Sequence, residues 1–243
     1  MKIILSPAKK MVMNNDDFSF RNYPVFLSKT EKLLKELKSL SFEELKAVWK
    51  CSDRLVKENE ERLKNINLKE ELSPAVFTYV GLAFQHLAPS IMSEEALEYI
   101  ENHLRILSGF YGVLKPFDGI REYRLEMQQT LPKCGDLYTY WKDDLYKEVK
   151  DDVIINLASK EYSKCIEDYL EDDDNYITIS FCEVKGDKLI QKGTMAKMAR
   201  GEMVYWMAEH NIIDVEDIKK FNIGYKYSSK HSSDKEYVFI KEG

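Results

Sequence analysis

Apolar positions recur along this chain with two different periods, helical in the first half and strand-like in much of the second. The run Ile3-Ile4-Leu5 within Lys2–Ser6 is compact and is stopped by Pro7, which predicts a short buried strand. Asn14-Asn15-Asp16-Asp17 is loop chemistry. From about Val25 to Leu40, the residues Leu33, Leu34, Leu37 and Leu40 recur at helical spacing among lysines and glutamates. Ser41, with Glu44 three positions on, forms a capping box that starts a second helix through Leu45, Val48 and Trp49. Ser52 to Asn65 predicts a charged amphipathic helix with Leu55, Val56, Asn59 and Leu63 on one side. Pro74 opens a segment bearing Phe77, Tyr79, Phe84 and Leu87. Ser93-Glu94-Glu95 starts another helix, with acids where the helix dipole favours them. Its spacing predicts a run through Leu97, Ile100, Leu104 and Leu107 to a stop at Ser108-Gly109.

The second half changes character. Val153–Leu157 predicts a buried strand, and Tyr176–Val184 alternates at period two with β-branched residues, a strand pattern. Gly186-Asp187 predicts a hairpin turn into Lys188–Gln191. Thr194 to His210 predicts a helix with Met198, Met203, Trp206 and Met207 facing inward, and Tyr237–Ile240 a last strand. The strands are neither evenly spaced nor regularly alternated with helices. That predicts an α+β fold, a mixed β-sheet surrounded by helices, in one domain spanning 1–243.

Composition narrows the class. No apolar stretch is long enough for a secretory signal or for the about 20 residues of a membrane span, so a cytoplasmic protein with no membrane contact is expected. Cys51, Cys134, Cys165 and Cys182 have no zinc or redox spacing, and the four histidines form no metal-binding pattern. No metal and no cofactor is expected, and Walker or Rossmann glycine loops are absent. The net charge is −6, which weighs against a nucleic-acid partner, but the charge is unevenly placed. Glu167 to Asp174 holds six acids in eight residues. Met1–Asn15 carries Lys2, Lys9 and Lys10, and Ile190–Gly201 carries Lys192, Lys197 and Arg200, with no acid in either. A solvated face would account for either basic cluster equally well.

Four constellations could carry chemistry. The first is Leu107-Ser108-Gly109-Phe110-Tyr111-Gly112-Val113-Leu114-Lys115-Pro116. Apolar-x-Gly-apolar-x-Gly after a helix is the hairpin pattern of a helix-hairpin-helix, here about 93–127. Glycine amides at Gly109 and Gly112 could approach a phosphate, with Arg105, Lys115, Arg121 and Arg124 around them. A plain tight turn between packed helices fits the same residues. The second is Arg121–Met127, where Arg124 and Glu126 could hold a ligand or form a structural ion pair. The third is Asn156-Leu157-Ala158-Ser159-Lys160-Glu161-Tyr162, a strand running into a helix N-terminus, which is a ligand site in many folds or simply a cap. The fourth is Lys197 and Arg200 at i, i+3 on one helix face, either phosphate-facing or merely exposed.

Taken in this order, these segments resemble the YaaA family of peroxide stress proteins. The match begins at Ile4-Leu5-Ser6-Pro7-Ala8-Lys9 and is densest over His103–Asp118 and Tyr123–Met127. It continues through Asp136-Leu137-Tyr138 with Trp141, Asn156–Ser159 with Glu161-Tyr162, Ala196-Lys197 with Ala199-Arg200-Gly201, and Phe221-Asn222 with Gly224-Tyr225. The chain departs from the pattern at Tyr79–Ala83, which is uncharged where some relatives carry a lysine-glycine-acid run. The resemblance implies a bacterial cytoplasmic protein that helps resist hydrogen peroxide and lowers free iron. It also implies an α+β fold with a helix-hairpin-helix beside a positive cleft, and binding to duplex or distorted DNA.

The resulting expectation is a DNA-binding protein of weak sequence specificity, favoured as a monomer. Lys9, Arg105, Lys115, Arg124, Lys192, Lys197 and Arg200 would line a basic cleft, and Gly109 and Gly112 would present amides. A possible ligand pocket would gather Ser6, Glu126, Asn156, Ser159, Glu161 and Tyr162. No catalytic motif is established, so enzyme activity stays open and the reading leans against it. The alternative is an enzyme acting on a nucleic-acid base or nucleotide in the same cleft, because a phosphate groove has little need of Glu126 or Glu161. Direct iron binding is a third reading, without recognisable ligand spacing.

Overall fold

The computed structural model of the chain describes residues 1–13, 18–186 and 188–242. The predicted loop at Asn14–Asp17 and Asp187 of the predicted turn lie outside these residues. The elements that position the site are strand β1 (Lys2–Leu5), helices α1 (Leu27–Ser39), α2 (Phe42–Trp49), α3 (Asp53–Asn65), α4 (Leu82–Leu87) and α5 (Glu94–His103), and strands β2 (Leu104–Ser108) and β3 (Gly112–Leu114). Then come α6 (Asp144–Val149), β4 (Ile154–Leu157), α7 (Lys160–Glu167), β5 (Tyr176–Lys185), β6 (Lys188–Ile190), α8 (Gly193–Glu209), β7 (Tyr225–Tyr227) and β8 (Glu236–Lys241).

Local rules account for several of these. Ser41 Oγ accepts from Glu44 N while the Glu44 side chain accepts from Ser41 N, the predicted capping box. Ser93 Oγ caps α5 at Ala96 N. The strands form one mixed sheet, ordered β7-β8-β5-β4-β1-β2-β3, with β6 pairing β5. β1 lies parallel to both β2 and β4, in the registers Ile4↔Arg105 and Ile4↔Asn156. β4–β5 and β5–β8 are also parallel, whereas β2–β3, β5–β6 and β7–β8 are antiparallel. The α+β class with a helix-wrapped mixed sheet is thus observed.

The crossovers β1→β2 and β4→β5 leave the middle of the sheet in opposite directions. Right-handed connection then places their helices on opposite faces. α5 packs on β1 and β2, and α8 packs on α5, α4 and β5. On that face Phe181 meets Phe221, which meets Trp206 of α8. α7 lies on the other face, where Tyr176 hydrogen-bonds Glu167. Both faces of the central strands are therefore covered, and Ile3, Ile4, Leu5, Ile106, Leu107, Ile155 and Leu157 are all essentially inaccessible.

Residues 93–127 do not form a helix-hairpin-helix. α5 stops at His103, and Leu104–Ser108 is a strand that turns through 109–111 into β3. The physical reason is burial on both sides. A strand covered on both faces loses its polar alternation, so its apolar run continues the spacing of the helix before it. Gly109 and Gly112 are buried in this turn rather than presented to solvent. Gly112 has φ +80° and is surrounded by Phe26, Leu145 and Trp141.

Asp118 is 3% exposed and accepts from Lys115 N at 2.8 Å, closing the turn after β3. Burial pushes its carboxyl up to about 7, against the lowering effect of that hydrogen bond. An unfolded aspartate titrates at about 4. The folded chain therefore binds the extra proton between about pH 4 and pH 7, and stability is lost as pH rises through that window. Asp118→Asn should remove this slope. Urea unfolding from pH 4 to 8 is expected to show the wild type losing ground to the variant until about pH 7, and parallel curves would contradict it.

Candidate functional site

Pro7 ends β1, and the chain turns out through Ser6–Lys10. The equivalent turn after β4 carries Ser159 and α7. Ser159 N donates to Ser6 Oγ at 2.8 Å, and Ser6 Oγ donates to Ser159 Oγ at 3.1 Å, so the two strand ends are tied together. Because the crossovers diverge between β1 and β4, this is a topological switch point, where open sheets leave a crevice at the carboxyl ends of their strands. A cleft of about 370 Å³ lies there.

Three walls enclose it. The first is the start of α4, from Val80 to Phe84, with Lys197 and Arg200 of α8 beside it. These two helices approach closely because residue 201 is glycine, and a Cβ there would stand 2.0 Å from the carbonyl oxygen of Ala83. The second wall is the segment Tyr123–Glu126. Its path requires Gly109, where a Cβ would lie 2.7–2.9 Å from the backbone of Leu125, Glu126 and Met127. Tyr123 is oriented by a chain of hydroxyls. Ser108 Oγ accepts from Phe110 N (3.2 Å) and Tyr111 N (2.9 Å), which fills its acceptor capacity, so its proton goes to Tyr123 (2.6 Å). The hydroxyls of Tyr123 and Tyr79 are hydrogen-bonded to each other at 2.7 Å. The third wall is α7 with Glu161 and Tyr162.

The cleft is lined by five cations, Lys9, Lys10, Arg124, Lys197 and Arg200, against two carboxylates, Glu126 and Glu161. It is locally positive on a chain of net charge −6. Glu126 is bonded by Lys9 Nζ at 2.6 Å and by Arg124 Nη2 at 3.4 Å. Glu161 makes no ion pair among the described residues, and Gln128 N donates to it at 3.5 Å. Burial, with the nearby charge of Glu126, pushes its carboxyl above the usual range, and burial does the same to the Tyr162 phenol.

Arg200 is the unusual group. Burial lowers its guanidinium below the ordinary arginine value, with no carboxylate acting against it. Its Nε is buried without a hydrogen-bond partner, and so is the Nε of Arg124. Among the described residues Arg200 has no ion pair. A buried cation with no counter-charge is costly unless something anionic arrives to pair with it.

Of the residues expected from sequence, Lys9, Arg124, Lys197 and Arg200 come together in the cleft with Ser6, Glu126, Ser159, Glu161 and Tyr162. The others stand elsewhere. Arg105 is 6% exposed on β2, donating to the carbonyls of Glu101 and Leu104 at 3.1 and 2.7 Å. Lys115 is half-buried at the turn closed by Asp118, and Lys192 pairs with Glu183 at 2.6 Å. Gly109 and Gly112 shape the walls from behind. Asn156 is buried, and its Oδ1 accepts from Ala158 N at 2.8 Å, setting the turn that delivers Ser159. Sequence reasoning missed Lys10 and the apolar wall Val80–Phe84. Lys10 could have been found from its neighbour in the acid-free N-terminal stretch, whereas the apolar wall is marked only by its departure from the family pattern at Tyr79–Ala83.

Among the described residues, Glu171, Asp173 and Asp174 are close enough together to hold a metal ion. Lys150 bonds Glu171 and Tyr146 bonds Asp174, so this group knits a surface loop. No described helix is long and apolar enough to cross a membrane.

Replacing Arg200 should separate fold from function. Arg200→Met is expected to leave the melting behaviour of the ligand-free protein unchanged or to raise stability by up to about 2 kcal/mol, since it removes a half-buried unpaired cation. Thermal unfolding without added nucleic acid measures this. A fall of several degrees would show that Arg200 has a structural partner.

The chain was also compared with known proteins. The model of the family described as peroxide stress protein YaaA matches residues 1–231. A UPF0246 protein of Agathobacter rectalis is 57% identical, with 100% of this chain and 99% of that one covered. UPF0246 proteins of Lachnoclostridium phytofermentans and Ligilactobacillus salivarius are 49% and 46% identical, each alignment covering 99% of this chain and 96% and 100% of theirs.

Proposed function

Since this chain belongs to the peroxide stress protein YaaA family, we propose that it binds DNA through the cleft at the ends of β1 and β4 and so limits iron-dependent oxidative damage. The observation that carries the reading is Arg200, a largely buried guanidinium without a counter-charge, one helical turn from the equally unpaired Lys197. Two such groups facing one cleft suit a phosphate, which arginine binds through its planar fork and lysine as a point charge. Lys10 and Lys9 extend the same positive edge along the turn after β1. The binding surface in this reading is the cleft rather than the turn at 109–112.

Binding of this kind is salt-dependent and tolerant of sequence, because phosphate contacts position a nucleic acid without reading its bases. The acids of Glu167–Asp174 do not line the cleft, so the net negative charge is spent on another surface. A second reading, an enzyme acting on a base or nucleotide, is favoured by one observation. Glu161 lines the cleft without an ion pair and with its carboxyl held above the usual range, which is how proton-transferring carboxylates are prepared.

The test is a titration of fluorescent duplex and branched DNA of one composition at two salt concentrations. Affinity is expected to fall steeply with salt. Lys197→Glu combined with Arg200→Glu should weaken binding by at least about 10-fold and flatten the salt dependence by roughly one unit of slope per lost contact. Affinity that is flat with salt and unchanged in the variant would sink the proposal.

A further inference from the structure

The charges of the cleft pair off unevenly. Lys9 and Arg124 share the one carboxylate of Glu126, at 2.6 and 3.4 Å, which offsets part of their charge. Lys197 and Arg200 remain on one wall without an ion pair or hydrogen bond among the described residues. On α7, which lies on the other face of the sheet from α8, Glu161 has no ion pair among the described residues and is held by backbone N–H groups of Gln128 and Met127. Tyr123, Tyr162 and Phe84 also line the cleft.

A ligand that satisfies this arrangement needs an anion at one end, N–H donors at the other and a flat apolar body between. An ionised carboxylate only accepts hydrogen bonds, so the far end must donate. Aromatic walls favour a planar ring, and base–aromatic stacking tolerates any base. The volume of about 370 Å³ is that of a small-ligand site rather than a groove for a duplex. In a paired duplex the donor edges of the bases are engaged with each other, and phosphate contact alone would leave Glu161 without a partner from the ligand. A nucleotide that has left the stack offers a phosphate, a plane and a free donor edge together.

We infer that the cleft receives one unstacked nucleotide unit, with its phosphate at Lys197 and Arg200 and its base edge at Glu161. This rests on the reading of the cleft as a nucleic-acid site. The nucleotide could be an extrahelical residue of DNA or a free 5′-monophosphate, and the experiment distinguishes them. Binding of a paired duplex is compared with that of the same duplex carrying a single-nucleotide bulge, and free deoxynucleoside monophosphates, nucleosides and inorganic phosphate are added as competitors. An unpaired residue leaves the stack at lower cost, so the bulged DNA should bind at least about 10-fold more tightly. Glu161→Gln and Arg200→Met should each erase that preference. Monophosphates should compete at least about 10-fold better than nucleosides or phosphate, since both ends are read.

If paired and bulged DNA bind alike with steep salt dependence and monophosphates do not compete, the inference is overturned and the DNA reading stands. If no DNA binds but monophosphates do, and both variants lose at least about 10-fold in affinity for them, the inference holds with the free nucleotide as ligand and the DNA reading falls. If neither DNA nor monophosphate binds, both are overturned.

Discussion

β1 is four residues long, yet it hydrogen-bonds in parallel to a strand on each side and is covered on both faces. Its carboxyl end is therefore fixed, and so is the point where the chain must leave the sheet. Pro7 makes it leave at once. The next strand over, β4, ends level with it, in the register Leu5↔Leu157, and the Ser6–Ser159 bonds tie the two exits. The cleft is what remains when crossovers on either side of this pair run in opposite directions. Remote parts of the fold serve it through close backbone approach: Gly201 admits α4 against α8, and Gly109 admits the segment that carries Arg124 and Glu126.

Electrostatics divide the molecule in the same way. Surface ion pairs such as Lys147–Asp143 and Lys220–Asp217 cancel locally and contribute little. The cleft instead concentrates cations and leaves Lys197 and Arg200 without carboxylates. An exposed lysine in that state costs nothing. A largely buried arginine does, and a fold that needed only stability would gain by replacing it with an apolar residue of similar size. The local charge of the cleft and the position of Arg200 within it are what the proposed anionic partner rests on.

Much of this was legible in the amino-acid order, and the losses have physical causes. The capping box at Ser41 and Glu44, the period-two pattern of Tyr176–Val184 and the helix ending near His210 follow from local rules, and each appears in the structure. Leu104–Leu107 misled because a doubly buried strand has no polar face to mark its period. That error carried Gly109 and Gly112 with it. They are needed for backbone close approach, which looks identical in sequence to a phosphate-binding turn. The clustering of Ser6, Lys9, Arg124, Glu126, Ser159, Glu161, Tyr162, Lys197 and Arg200 was readable as separate motifs along the chain. Arg105 and Lys192 were not separable from them by charge alone, since only the fold shows that one is buried on β2 and the other is held by Glu183.

The central claim is that nucleic acid meets the protein at the ends of β1 and β4. Hydrogen–deuterium exchange with and without bound DNA addresses it most directly. The account predicts slower exchange in residues 6–10, 80–84, 123–126 and 159–162 and in the part of α8 around Lys197 and Arg200. Protection confined to the surface around residues 104–118, with the cleft segments unchanged, would contradict it.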